Sequence, residues 1–257
     1  MKPFKIGIIG SGNMAFSLGS ELLHQGYQIT EIYSRNKTEG RKLAKQLRTT
    51  YFNKIDKLPG DADLFFLCLQ DDVITTIAGK LPFNDKIIIH TSGSVSMDAL
   101  KNFSKQYGVF YPVQSINKNV VTHWKEIPIC IEASSPNVLK LLHVLAKEIS
   151  KSVYKINSEQ RLHLHLAAVF ANNFSNACFS MAKDILDESK LSFELIRPLI
   201  LNTANKVQTS IPSSVQTGPA KRNDATVLKA HRKLLKDHNE LKKVYDVLTK
   251  YIQEEEL

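Results

Sequence analysis

Gly10, Gly12 and Ala15 follow directly on a short apolar run, Phe4 to Ile9, and lead directly into a helix-compatible segment, Phe16 to His24. That order, a strand, then G-x-G-x-x-A, then a helix, leaves few folds open to the chain. The strand delivers the backbone to a tight turn at Gly10. Gly12 carries no side chain, so backbone N–H groups can approach a pyrophosphate. Ala15 lets the helix pack close to the strand, and the helix N-terminus turns partial positive charge towards the phosphates. A plain glycine turn in an α/β protein would use the same letters, but the strand before it and the helix after it favour a dinucleotide site.

Strand and helix patterns alternate through the first 157 residues. Tyr27 to Tyr33 reads as a second strand, and a polar helix is expected from Lys37 to Leu47. Thr50 to Phe52 is short and extended. Asp63 to Leu69 and Lys86 to His90 are almost wholly apolar, as strands covered on both faces must be. A helix is expected from Ser96 to Gln106, followed by strands at Gly108–Tyr111, Pro128–Ile131 and Ser152–Ile156, with a helix from Pro136 to Ile149. This alternation predicts an α/β fold: a Rossmann-type, doubly wound, mainly parallel sheet. From Ser158 no strand pattern survives. One long helix is expected to Ser189, opened by Ser158 as its cap. A second runs from Ser192 to Ser210, kinked or broken at Pro198, a third is capped by Asn223 or Asp224, and a fourth spans His238 to Gln253. The expected organisation is a nucleotide domain at 1–157 and an all-α domain at 158–257.

The 257 residues carry a net charge of +9, but lysine and arginine are scattered without a dense run among aromatics, which argues against a nucleic-acid partner. Cys68, Cys130 and Cys178 are far apart, so neither a disulfide scaffold nor a metal site is expected, and a reducing cytoplasm suits them. Cys68, inside an apolar run, is expected to be inert core. Met1-Lys2-Pro3 leads straight into the first strand, leaving no room for a signal peptide. No apolar window approaches the length of a membrane span.

Ser34 and Arg35 end the second strand. A hydroxyl and a planar guanidinium suit a 2′-phosphate, which favours NADP over NAD; the rival is Glu31, a carboxylate for the ribose 2′-OH, three residues earlier inside the strand. Leu69-Gln70-Asp71-Asp72 and His90-Thr91-Ser92-Gly93-Ser94 follow buried strands, at the carboxyl edge where open α/β sheets bind ligands. Asp72 also reads as a simple helix cap, and the hydroxyl-rich loop as a simple turn. Tyr111-Pro112-Val113-Gln114 ends the next strand, with Gln114 a neutral hydrogen-bonding group. On the long helix His163 and His165 point to different sides. His165, Asn172, Asn173 and Asn176 form a polar stripe that needs partners, from substrate, neighbouring helices or a second subunit.

His90-Thr-Ser-Gly-Ser94, Tyr111-Pro-Val-Gln114, His165-Leu-Ala-Ala-Val-Phe-Ala-Asn-Asn173 and Thr217-Gly-Pro-Ala-Lys-Arg-Asn-Asp224, taken with the glycine motif and Ser34-Arg35, resemble the 6-phosphogluconate dehydrogenase-like superfamily. Pyrroline-5-carboxylate reductases and F420-dependent NADP oxidoreductases belong to it, and the match is nearest to its Rossmann-like proteins with a DUF2520 helical domain. The resemblance implies NADP(H), a homodimer built through the helical domain, and a substrate anion or cofactor phosphate for Arg222. Hydroxyacid dehydrogenases of the superfamily use a helix lysine one turn before an asparagine as proton donor. If Asn173 matches that asparagine, the lysine position holds Val169, and standard hydroxyacid dehydrogenation is in doubt. His165, one turn earlier, is the nearby residue type that titrates close to neutrality.

The expected function is therefore a cytoplasmic NADP-dependent oxidoreductase. It would move a hydride between NADP(H) and a small C=O or C=N substrate in a cleft between the domains. Gly10, Ser11, Gly12, Asn13, Met14, Ser34, Arg35, Leu69, Gln70, Asp71, His90 and Thr91 are the expected cofactor residues, with His165 as acid/base and Asn173, Gln114 and Ser92 orienting the substrate. The alternative is an NADP-binding sensor or scaffold without turnover.

Overall fold

The computed structural model describes residues 4–254. The stretch before the first strand, from which the lack of a signal peptide was argued, lies outside them. Two compact units divide the chain, Met1–Asn173 and Phe174–Leu257. The texture of the sequence changes at 157/158, but the helix that starts there belongs to the first unit up to Asn173.

The first unit is built on an eight-stranded sheet in the order β3-β2-β1-β4-β5-β6-β7-β8. Its strands are β1 (Lys5–Ile9), β2 (Gln28–Tyr33), β3 (Thr50–Phe52), β4 (Leu64–Leu67), β5 (Ile87–His90), β6 (Tyr107–Pro112), β7 (Ile129–Ala133) and β8 (Val153–Lys155). Every pairing is parallel except β6 with β7. Side chains alternate across the pleat, so Ile6, Ile8, Leu64 and Phe66 enter one core and Ile9, Phe65, Leu67 and Ile88 the other. The first core takes up α1 (Asn13–His24), α2 (Lys37–Leu47) and α4 (Pro136–Ile149), and the second the short α3 (Ile74–Ala78). Two helical layers on a parallel sheet explain why β4 and β5 are apolar at nearly every position.

Three helix expectations need correction. No α-helix forms over 96–106: Met97–Leu100 makes a 3-10 turn, and Ser104 then donates to the carbonyls of Lys86 and Gln106 and accepts from the Gln106 N–H. A serine that takes over backbone bonding in this way ends helical propagation. Ser158 opens α5 (Ser158–Ala168) but does not cap it. Asn157 caps it through a capping box with Gln160, while the Ser158 hydroxyl donates to Glu132. The long helix is then interrupted by a π-helical turn, Val169–Phe174, before α6 (Ser175–Glu188).

In the second unit the helix expected over 192–210 is broken next to Pro198: a 3-10 turn, Phe193–Leu195, precedes α7 (Arg197–Thr209), and the proline sits in the first turn of α7, where a missing N–H costs nothing. Asp224, not Asn223, caps α8 (Ala225–Leu234) by accepting from the Val227 N–H, and α9 (Asn239–Glu254) completes the unit. Among the described residues no helix is long and apolar enough to cross a membrane.

Glu31, the rival for a ribose, is wholly buried within β2. Its carboxylate accepts from the N–H groups of Gly60 at 3.3 Å and Ala62 at 3.0 Å, which fixes the loop entering β4. Removing it strands the buried Ala62 donor and the part-buried Gly60 donor, so Glu31→Ala should cost about 2 kcal/mol, read as a lower urea midpoint; an unchanged midpoint would refute this structural role.

Candidate active site

A cleft of about 540 Å³ opens at the carboxyl ends of β1, β2 and β4. Gly10 makes it possible. Its φ is +119°, its N–H donates to the Tyr33 carbonyl at 2.7 Å, and a Cβ at this position would collide with the Cys68 carbonyl oxygen. Gly12, by contrast, is exposed and a Cβ there would meet nothing within 4 Å, so the start of α1 presents bare backbone to the cleft. Opposite it the Ser11 and Ser34 hydroxyls are hydrogen-bonded at 2.7 Å, and Ser34 also accepts from the Asn36 N–H at 3.1 Å. Arg35 is exposed on the rim. With Glu31 occupied by its loop, the charge this edge offers is a guanidinium.

Gly10, Ser11, Gly12, Asn13, Met14, Ser34, Arg35, Leu69 and Gln70 all line this cleft, joined by Asn36, which the sequence did not single out. Asp71, His90 and Thr91 are not in its lining. Asp71 accepts from the Ser94 hydroxyl, and Thr91 donates to the Leu67 carbonyl. His90 is fully buried, and its Nδ1 accepts from the Ser92 N–H at 3.2 Å. Ser92 is buried too, accepting from the N–H groups of Ser94 and Val95. The hydroxyls of this loop therefore bond within the protein and set the shape of the turn. Cys68 is core, as expected: burial pushes its thiol up to about 12, so it stays neutral.

A second cavity, about 550 Å³, brings Tyr111, Gln114, His165, Asn172 and Asn173 together. The π turn supplies Val169, Asn172 and Asn173 to its wall; such wide turns often occur at functional positions. His165 Nδ1 lies 3.2 Å from the Tyr111 hydroxyl, while His163 bonds the Glu159 carbonyl away from the cavity.

Two further residues, missed in the sequence, brace this wall. Arg161 on α5 is 1% exposed and ion-paired to Glu132 of β7; it also bonds the Val95 carbonyl and, at 3.3 Å, the Ser158 hydroxyl. Its Nε is buried without a partner among the described residues. Burial, and then the Arg161 guanidinium, push His90 down to about 4, so it is neutral at physiological pH. No sequence motif marks Arg161 or Glu132; their only signal is a charged residue inside an otherwise apolar strand and one near the start of a helix.

The model of the family described as NADP oxidoreductase, coenzyme F420-dependent, matches residues 5–93, and that of a domain of unknown function, DUF2520, matches residues 127–252. A Bacteroides fragilis protein whose crystal structure is named as that of an NADP oxidoreductase shares 35% identity, with 98% of each chain covered and a TM-score of 0.91. A Thermotoga maritima protein shares 25% identity over 97% of this chain and 98% of that one, with a TM-score of 0.82. The fold also matches a reductive aminase from Aspergillus terreus in complex with NADPH and ethyl-5-oxohexanoate, at 14% identity, 99% and 95% coverage and a TM-score of 0.73. No curated protein matches the chain.

His90 makes stability depend on pH in a defined window. Its folded value of about 4 lies below the ordinary 6.5, so as pH falls through that interval the unfolded chain takes up a proton that the folded chain refuses. The native state should lose up to about 3 kcal/mol from this group alone. His90→Gln should show a smaller fall in urea midpoint between pH 7 and pH 4.5 than the unaltered protein; equal falls would contradict it.

Proposed function

The chain belongs to the NADP oxidoreductase family, its N-terminal part matching the F420-dependent group and its C-terminal half a DUF2520 region, and from that premise we propose that it transfers a hydride between NADP(H) and a small C=O or C=N substrate. The observation that carries the reading is the cleft edge at β2. The Arg35 guanidinium and the Ser34 hydroxyl stand there, and the Glu31 carboxylate is spent on a loop. That edge fits a 2′-phosphate and disfavours a bare ribose diol.

The backbone of Gly10 to Met14 holds the pyrophosphate, Ser34 and Arg35 take the 2′-phosphate, and Leu69 and Gln70 bound the cleft beyond it. Asp71, His90, Thr91 and Ser92 support that end from behind, through the turn they build. When bound, the cofactor supplies or accepts the hydride. His165 holds or accepts the proton at the substrate heteroatom, while Gln114 and Asn173 orient the substrate as neutral hydrogen-bonding groups. Apart from His165, the second cavity is lined by uncharged residues, which suits an uncharged carbonyl or imine.

The chain also acts as a homodimer through its second unit. Among the described residues of that unit only Ala220, Leu228, Leu235 and Thr249 are buried, while Leu195, Leu199, Leu201, Val247 and Tyr251 are each more than 60% exposed. So much uncovered apolar surface calls for a like surface to cover it. Sedimentation velocity at micromolar concentration should give twice the mass of one chain; a monomer would end this part of the proposal.

Calorimetry should show NADPH binding more tightly than NADH, and Arg35→Ala should weaken NADPH about 10- to 100-fold while leaving NADH nearly unchanged. Screening ketones, imines and 2-oxo acids should reveal loss of NADPH absorbance, lowered about 100-fold or more in His165→Ala. Binding without consumption of any substrate would instead identify a nucleotide sensor.

A further inference from the structure

Tyr111 and His165 are 54 residues apart, yet the tyrosine hydroxyl lies 3.2 Å from the imidazole Nδ1, and the rings meet edge to face with centroids 6.1 Å apart. Little freedom remains in this pair. Tyr111 is 8% exposed, and its backbone is paired with Cys130 across the antiparallel β6–β7 ladder. Gly93, in the turn after β5, is what lets the rings approach. A Cβ there would lie 2.5 Å from Nδ1 and 2.9 Å from the Tyr111 Cζ. Both residues line the cavity that holds Gln114 and Asn173.

We infer that Tyr111 is the positioning residue behind His165, its O–H donating to Nδ1 so that the ring keeps its proton on Nε2 and is recharged after giving it up. The inference rests on the hydride-transfer reading above. A neutral histidine has one donor and one acceptor nitrogen, and the partner of one fixes the role of the other. Nδ1 is committed to Tyr111, which leaves Nε2–H, at the opposite edge of the ring, for the substrate. In the reductive direction hydride adds to the substrate carbon, and the Nε2–H bond breaks as the heteroatom takes that proton. The Tyr111 O–H bond breaks as its proton moves to Nδ1, and the phenolate left behind is reprotonated by water. The net gain of substrate is one hydride and one proton.

Burial raises the Tyr111 phenol above its ordinary value, so it carries its proton at physiological pH. The neighbouring charges are already matched. Arg161, one turn before His165, pairs with Glu132; Asp71 is held by Ser94; and burial keeps the Cys130 thiol neutral, up at about 11. An imidazole without such a partner has a readily transferable proton only in its charged form, which is lost above about pH 6.5.

Two readouts test this. In the protein without substrate, 15N NMR of the His165 ring should show the Nε2–H tautomer, and Tyr111→Phe should turn it into a mixture. In turnover, kcat of the unaltered protein should stay level from about pH 6 to 9, while that of Tyr111→Phe should fall several-fold across the same range as pH rises, with NADPH affinity unchanged. Gly93→Ala, which wedges the rings apart, should reproduce both effects. The same tautomer and the same pH profile in Tyr111→Phe would overturn the inference even if His165→Ala is inactive. A pinned tautomer that loosens in Tyr111→Phe, with no NADPH consumed on any substrate, would keep the pairing and sink the hydride-transfer reading instead.

Discussion

The carbonyl of Cys68 faces the backbone of Gly10 so closely that no side chain fits between them. Three strand ends converge on that contact. Gly10 donates to Tyr33 at the end of β2, and Cys68, just past β4, donates to the Ile9 carbonyl of β1 at 2.8 Å. A residue with a Cβ at position 10 would need to push β4 away from β1 and would also be strained at φ +119°. The cleft is therefore a property of backbone packing. In the proposed reading its phosphate-binding surface is the start of α1, and its charge selectivity comes from Ser34 and Arg35 a strand away.

What the sequence revealed was local. A strand, a glycine turn and a helix occupy consecutive residues, so the cleft's first wall could be read from one stretch. Ser34 and Arg35 could be placed by their distance from the glycines, since a parallel sheet sets β2 beside β1. Their rivalry with Glu31 could not be settled in that way, because the donors that occupy Glu31 come from Gly60 and Ala62. The same limit hid Arg161 and Glu132, whose pairing depends on β7 lying against the start of α5.

Residues at the carboxyl ends of β4 and β5 show a second limit of sequence reading. Asp71, Thr91 and Ser92 look like ligands because polar groups at such strand ends commonly are. In the folded chain Asp71 meets Ser94, Thr91 meets Leu67, and Ser92 caps two amides of its own turn. Composition could not separate a loop that offers its hydroxyls from one that consumes them. The π turn was equally hidden, since the mixture of apolar residues and asparagines through 165–176 continues a helical pattern. A change in backbone pitch leaves no mark in residue type.

The Arg161–Glu132 pair bears on how the second cavity holds its shape. A buried ion pair gains little net stability, because desolvation offsets the attraction. Its value here is geometric. Arg161 joins the first turn of α5, the carboxylate of β7 and the Val95 carbonyl in the turn after β5. Those are the elements that position His165 and Gly93, with Tyr111 on the strand beside β7. If α5 rotated or slid along its axis, the buried Arg161 guanidinium would lose its part-buried carboxylate partner, at a cost of several kcal/mol. The contact between His165 and Tyr111, worth far less alone, is thus held by a stronger interaction one helical turn away. Burial, with the same guanidinium adding to it, keeps His90 uncharged beneath the loop, so one buried arginine fixes the geometry of that wall and contributes to its charge state.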